Sequence, residues 1–126
     1  MLDHISLGVF DLARAAAFYD AVLAPLGYVR LFSNERGVGY GPTGAKDEAF
    51  AILAAGEHAK APGVGCHLAL TAPSRAAVDA FHATAIGMGA TDEGAPGLRP
   101  VYGVGYYAAF VRDPDGYRLE AVCHEA

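Results

Sequence analysis

A displacement of 63 residues carries one half of this 126-residue chain onto the other. His-x-x-Leu occurs as His4…Leu7 and again as His67…Leu70, and fourteen residues after each histidine stands a phenylalanine, Phe18 and Phe81. The order of elements repeats around these anchors. Residues 3–9 alternate, with His4, Ser6 and Gly8 on one face and Ile5, Leu7 and Val9 on the other, as a half-buried strand does. Asp11 is an N-cap for a helix from Leu12 to about Ala24, whose stripe is Leu12, Ala15, Ala16, Tyr19, Val22 and Leu23. Pro25 and Gly27 stop it, and short strands follow over 28–33, 38–41 and 49–54. The second half restarts with His67 and Ala69 opposite Leu68 and Leu70. Ser74 then caps a helix to about Ile86, and strands follow near 90–92, 106–112 and 117–123, with 93–103 read as a long loop.

A unit of about 60 residues is too small to bury one face of its own sheet, so two such units must share a core. The expectation is an α+β fold of two βαβββ repeats in one domain spanning 1–126. Unit one covers about 1–56, a linker of small residues, glycine and proline covers 57–64, and unit two covers 65–126.

Composition removes several function classes. Apolar residues form 53 % of the chain, enough for a core and too many for a disordered segment. The net charge is −5 and there is no basic run, so neither nucleic acid nor an anionic membrane is an expected partner. No apolar run approaches the roughly 18 residues of a membrane span, and the first residues lack the pattern of a signal peptide. Two cysteines, Cys66 and Cys123, without an export signal point to reduced thiols and a cytoplasmic location.

The chemistry is concentrated near the end of the chain. Asp113-Pro114-Asp115-Gly116 is turn chemistry between two β-prone runs, so it reads as a hairpin. The outgoing run carries one acid, Glu120, among Leu119, Ala121 and Val122. A buried carboxylate needs a partner or a metal. His4 and His67 occupy strands of similar character, which raises the expectation that His4, His67 and Glu120 converge on one cation.

The chain resembles the vicinal oxygen chelate superfamily, which includes glyoxalases, extradiol dioxygenases and bleomycin- and fosfomycin-resistance proteins. The resemblance is carried by Asp3-His4-Ile5-Ser6-Leu7, by Phe18-Tyr19-Asp20-Ala21-Val22-Leu23 with Leu26-Gly27-Tyr28, by Gly65-Cys66-His67-Leu68-Ala69-Leu70, and above all by Phe110 to Glu120. It implies a curved eight-stranded mixed sheet around an open cup, with metal ligands on the first and last strands of each unit. Carried over, His4, His67 and Glu120 are those ligands. The fourth position falls on Ile52, an apolar residue, with Glu57 reached instead by subtracting 63 from 120.

Such a set suits Fe, Mn, Ni or Zn as the divalent cofactor, with positions free for a substrate offering two adjacent oxygens. The expected function is a ring-cleaving dioxygenase or glyoxalase-like lyase; the alternative is a metal-free small-molecule binding protein of the bleomycin-resistance type. Phe50, Tyr102, Tyr106 and Tyr107 are the candidate substrate-binding residues, with at most one of Tyr106 and Tyr107 facing inward because neighbours alternate. Glu57 and His124 are the candidate bases. The resemblance also implies a homodimer.

Overall fold

The computed structural model describes residues 1–125. Unit one contains β1 (Ile5–Val9), α1 (Leu12–Leu23), β2 (Tyr28–Asn34), β3 (Gly37–Pro42) and β4 (Phe50–Ala54). Unit two contains β5 (Leu68–Thr71), α2 (Arg75–Gly87), β6 (Thr91–Leu98), β7 (Tyr106–Arg112) and β8 (Arg118–His124). Each unit is a four-stranded mixed sheet, in the order β1-β4-β3-β2 and β5-β8-β7-β6. The first strand of each unit runs parallel to the last, and the remaining pairs are antiparallel. The βαβββ repeat is therefore present twice, and its eight strands form two hydrogen-bonded sets of four.

The repeat is visible in the packing. Phe18 on α1 and Phe81 on α2 are both buried in one core that takes both helices and one face of each sheet. That face is supplied by Leu7, Val9, Val38, Tyr40, Phe50 and Ile52 in unit one, and by Ala109, Val111, Leu119, Ala121 and Cys123 in unit two. The caps are local. Asp11 Oδ1 accepts from the Arg14 amide at 3.1 Å and Ser74 Oγ from the Ala77 amide at 3.1 Å. Gly27 ends the first helical segment at φ +89°, a left-handed conformation that a side chain would strain.

The long loop expected over 93–103 is mostly strand, since β6 runs through Leu98. Pro96, Gly94 and Gly97 are tolerated because β6 is an edge strand, and its pairing with β7 shifts between Asp92 and Gly94 and between Gly94 and Gly97.

The closing hairpin ties the two units together. Asp113 is buried, and its carboxylate accepts from the Tyr19 hydroxyl of α1 and from the amides of Asp115 and Tyr117 at 2.9 and 2.8 Å. Burial pushes the Asp113 pKa up, against these hydrogen bonds. Asp115 Oδ1 accepts from the Phe10 amide at 2.9 Å, and the Tyr117 hydroxyl donates to the Gly8 carbonyl at 2.6 Å. The turn residues, expected to be turn-makers only, thus also anchor β1. Among the described residues no helix is long and apolar enough to cross a membrane.

Candidate functional site

Alternation along β8 decides what Glu120 faces. Leu119, Ala121 and Cys123 enter the core, so Arg118, Glu120, Val122 and His124 point to the opposite face. The same alternation on β7 places Tyr106, Ala108, Phe110 and Arg112 on that face. Cross-strand pairing sets Phe110 opposite Glu120, and Arg112 opposite Arg118.

Glu120 is 2 % exposed, and both its oxygens are used. Oε1 lies 3.0 Å from His67 Nε2, and Oε2 accepts from the Tyr106 hydroxyl. Tyr106 pairs in register with His124, four residue pairs along the ladder from Glu120, two of them on the same face. Its ring reaches Glu120 because the intervening strand position is Ala108, which leaves room above the sheet. Burial, and then the hydrogen bond to the Glu120 carboxylate, push the Tyr106 pKa up to about 12. The His67 side chain is about half exposed, and its ring lies 6.3 Å from that of Phe110.

These groups floor an open cavity of about 550 Å³ lined by His67, Val101, Tyr102, Tyr106, Phe110 and Glu120. Tyr102 packs edge-on against Tyr106 with ring centroids 5.3 Å apart, and His124 does so from the other side at 5.0 Å. Aromatic rings around a few convergent polar groups are common in small-molecule sites.

Of the four expected substrate-binding residues, Tyr102 and Tyr106 line this cavity. Phe50 does not. It is 1 % exposed and packs against Tyr19 and Tyr40 in the core, because its strand turns it toward the helices. Tyr107 also faces the helices, where its hydroxyl donates to Asp79 Oδ1 at 2.6 Å and Arg75 lies over its ring. Of the candidate bases, His124 borders Tyr106, whereas Glu57 is solvent-exposed beside His58.

The register corrects the fourth position. Ile5 pairs with Phe50 and its repeat-mate Leu68 with Leu119, so Ser6–Ala51 corresponds to Ala69–Glu120. The counterpart of Glu120 is Ala51, not Ile52, which lies in the core. It remains apolar.

His67 and Glu120 fit two arms of a metal site. Their 3.0 Å separation is a hydrogen bond, and also about the spacing of two ligands held at right angles around an ion with bonds of about 2.1 Å. His4 does not join them within the chain. It is exposed ahead of β1, with Nδ1 2.6 Å from Asp3 Oδ1, and that carboxylate raises its pKa. Among the described residues no three His, Cys, Asp or Glu side chains cluster as metal ligands.

Residues 1–121 match the family model of the Glyoxalase/Bleomycin resistance protein/Dioxygenase superfamily. The chain belongs to this superfamily. It is similar to a glyoxalase/bleomycin resistance protein from Albidiferax ferrireducens T118, at 34 % identity and TM-score 0.82 over 98 % of both chains. It is also similar to a putative glyoxalase from Bacillus halodurans, at 26 % identity and TM-score 0.70 over 98 % of this chain and 95 % of that one. A genomically encoded fosfomycin resistance protein from Listeria monocytogenes shares the fold at 18 % identity, with TM-score 0.69 over 99 % and 93 %. No curated protein sequence matches the chain. Superfamily membership accounts for the two βαβββ units. It leaves the chemistry to the residues on the open face.

Proposed function

We propose that this member of the glyoxalase/dioxygenase superfamily is a metal-dependent enzyme whose site is completed between two copies, with His67 and Glu120 from one and His4 from the other. The observation that carries the reading is a nearly inaccessible carboxylate touching a half-exposed histidine at the floor of an open cavity. A divalent ion held there would act as a Lewis acid on a substrate presenting two neighbouring oxygens. Glu120 supplies the negative charge, with its orientation fixed by Tyr106. His67 presents Nε2 toward the cavity, and Phe110 and Tyr102 receive the apolar part of the substrate. The reaction class is ring-cleaving dioxygenation or a glyoxalase-like lyase step, and His124, packed on the Tyr106 ring, is the candidate base. The reduced cysteines Cys66 and Cys123 suit a cytoplasmic setting.

A second reading, metal-free sequestration of a small molecule in the same cavity, is favoured by one fact: both Glu120 oxygens already have protein partners. Metal analysis after loading with Mn, Fe, Ni or Zn separates the two. The enzyme reading expects about one equivalent per chain, and a drop of at least about 100-fold in affinity for both His67→Ala and Glu120→Gln, since each removes a ligand. Wild-type protein that retains no metal supports sequestration.

A further inference from the structure

We infer that Arg118 forms an oxyanion subsite beside the His67–Glu120 pair, so that the ligand carries a negatively charged oxyanion group some distance from the atoms that meet His67. The inference rests on reading this cavity as the ligand site and adds the class of ligand.

The cavity above Glu120 adjoins a second of about 390 Å³, with His67, Tyr102 and Phe110 lining both. The second is also lined by Arg112 and Arg118, and by Glu93, which is paired to Arg112. Glu120 and Arg118 stand two residues apart on one face of β8, so one small molecule can span both. The chain is acidic overall, at −5, yet three of its nine basic residues gather here. Arg99 lies over the Phe110 ring at 5.4 Å, and Arg112 and Arg118 face each other across the β7–β8 pair. Like charges placed directly opposite on neighbouring strands are destabilising.

The partners of these arginines differ. Arg112 Nε donates to Glu93 Oε1 at 2.8 Å, and Arg99 donates to the Ala95 carbonyl at 2.8 Å. Arg118 is half-buried, and among the described residues no carboxylate lies within ion-pairing distance of it. Glu120, its neighbour on the face, makes no ion pair with it and is held instead by His67 and Tyr106. A guanidinium with a free fork, next to an aromatic ring and facing a cavity, is matched to a carboxylate or phosphonate. Arg112, neutralised by Glu93, limits the charge repulsion and backs the subsite.

The test titrates the full-length protein, metal-free and metal-loaded, with benzoate, phenylphosphonate and neutral benzamide, following amide shifts by NMR. Either anion should bind at least about tenfold more tightly than benzamide, the scale of a charge-assisted hydrogen bond. The tighter of the two anions identifies the group recognised. Arg118→Gln should bring the ratio to within about twofold of unity with benzamide unaffected, and Arg118→Lys should keep part of the preference. Equal binding of anion and amide overturns the inference. So does a preference that survives Arg118→Gln, or no anion binding up to about 10 mM. Metal content is measured separately: protein that holds no metal but keeps the Arg118-dependent preference refutes the enzyme reading alone.

Discussion

The two units are alike where they face the helices and unlike where they face away from them. Toward the helices, Phe18 and Phe81 match in position and burial, and both sheets give an apolar face to the shared core. On the opposite face, unit two holds Glu120, His67, Tyr106, Phe110 and Arg118 around open space. Unit one holds Ser6, Gly8 and Ala51 there, and its space is filled. A Cβ on Gly39 would fall 2.1 Å from the Phe32 ring, one on Gly41 2.7 Å from Leu31, and one on Gly37 2.8 Å from Leu53. Three apolar side chains therefore lie down on three glycines of β3. The lesson is that the shared core constrains one face of a repeat, and the other face is free to become either a site or a plug.

The largest expected effect tests the likeness. Phe18→Ala and Phe81→Ala should each cost about 3–5 kcal/mol, because each leaves a cavity in the same core. Denaturant unfolding checks this, and a cost of less than about 1 kcal/mol in one unit only would break the symmetry of the core.

The next effect tests the difference. Glu120→Gln should reduce metal affinity at least about 100-fold, whereas Ala51→Ser, at the matching place in unit one, should leave it within about twofold. Metal-competition titration with a chelating dye reads both. A smaller effect should follow from Tyr106→Phe, which removes the donor that holds Glu120 Oε2. Loss of such a supporting hydrogen bond costs about 10-fold in affinity, and unchanged affinity would leave Tyr106 only as cavity wall.

The smallest effect concerns the hairpin that joins the units. The buried Asp113 carboxyl has its pKa raised above the ordinary 3.8 of the unfolded chain. The native state therefore binds more protons in the window just above 3.8, and this group's contribution to stability falls as pH rises through it. Asp113→Asn keeps an acceptor for Tyr19 and should flatten that part of the stability–pH curve. An identical slope in the variant, from chemical unfolding between about pH 4 and 6, would show that Asp113 carries no such linkage.

Much of this was legible in the residues. His4, His67, Phe18 and Phe81 marked the repeat, Glu120 stood out as the lone acid in an apolar run, and the Asp113–Gly116 turn located the hairpin. What was not legible depended on register. The strand period turns Phe50 and Tyr107 to the core, and only the pairing of β1 with β4 shows that Ala51, not Ile52, matches Glu120. Pro96 and the glycines around it disguised an irregular edge strand as a loop. Arg112 and Arg118 are symmetric about the turn, and their pairing across the hairpin was found only in the strand register. Tyr106 was a candidate, but its grip on Glu120 depends on the small Ala108 between them.

The central claim is that unit two carries the site and unit one contributes only His4, to a second copy. Mixed dimers of His4→Ala and Glu120→Gln chains, purified by two different tags, test it directly. Each single variant alone should hold almost no metal. The mixed dimer should recover about one equivalent, because it contains one pairing of intact His4 with intact His67 and Glu120. A mixed dimer that stays empty, or a His4→Ala protein that binds metal like the wild type, would contradict the account.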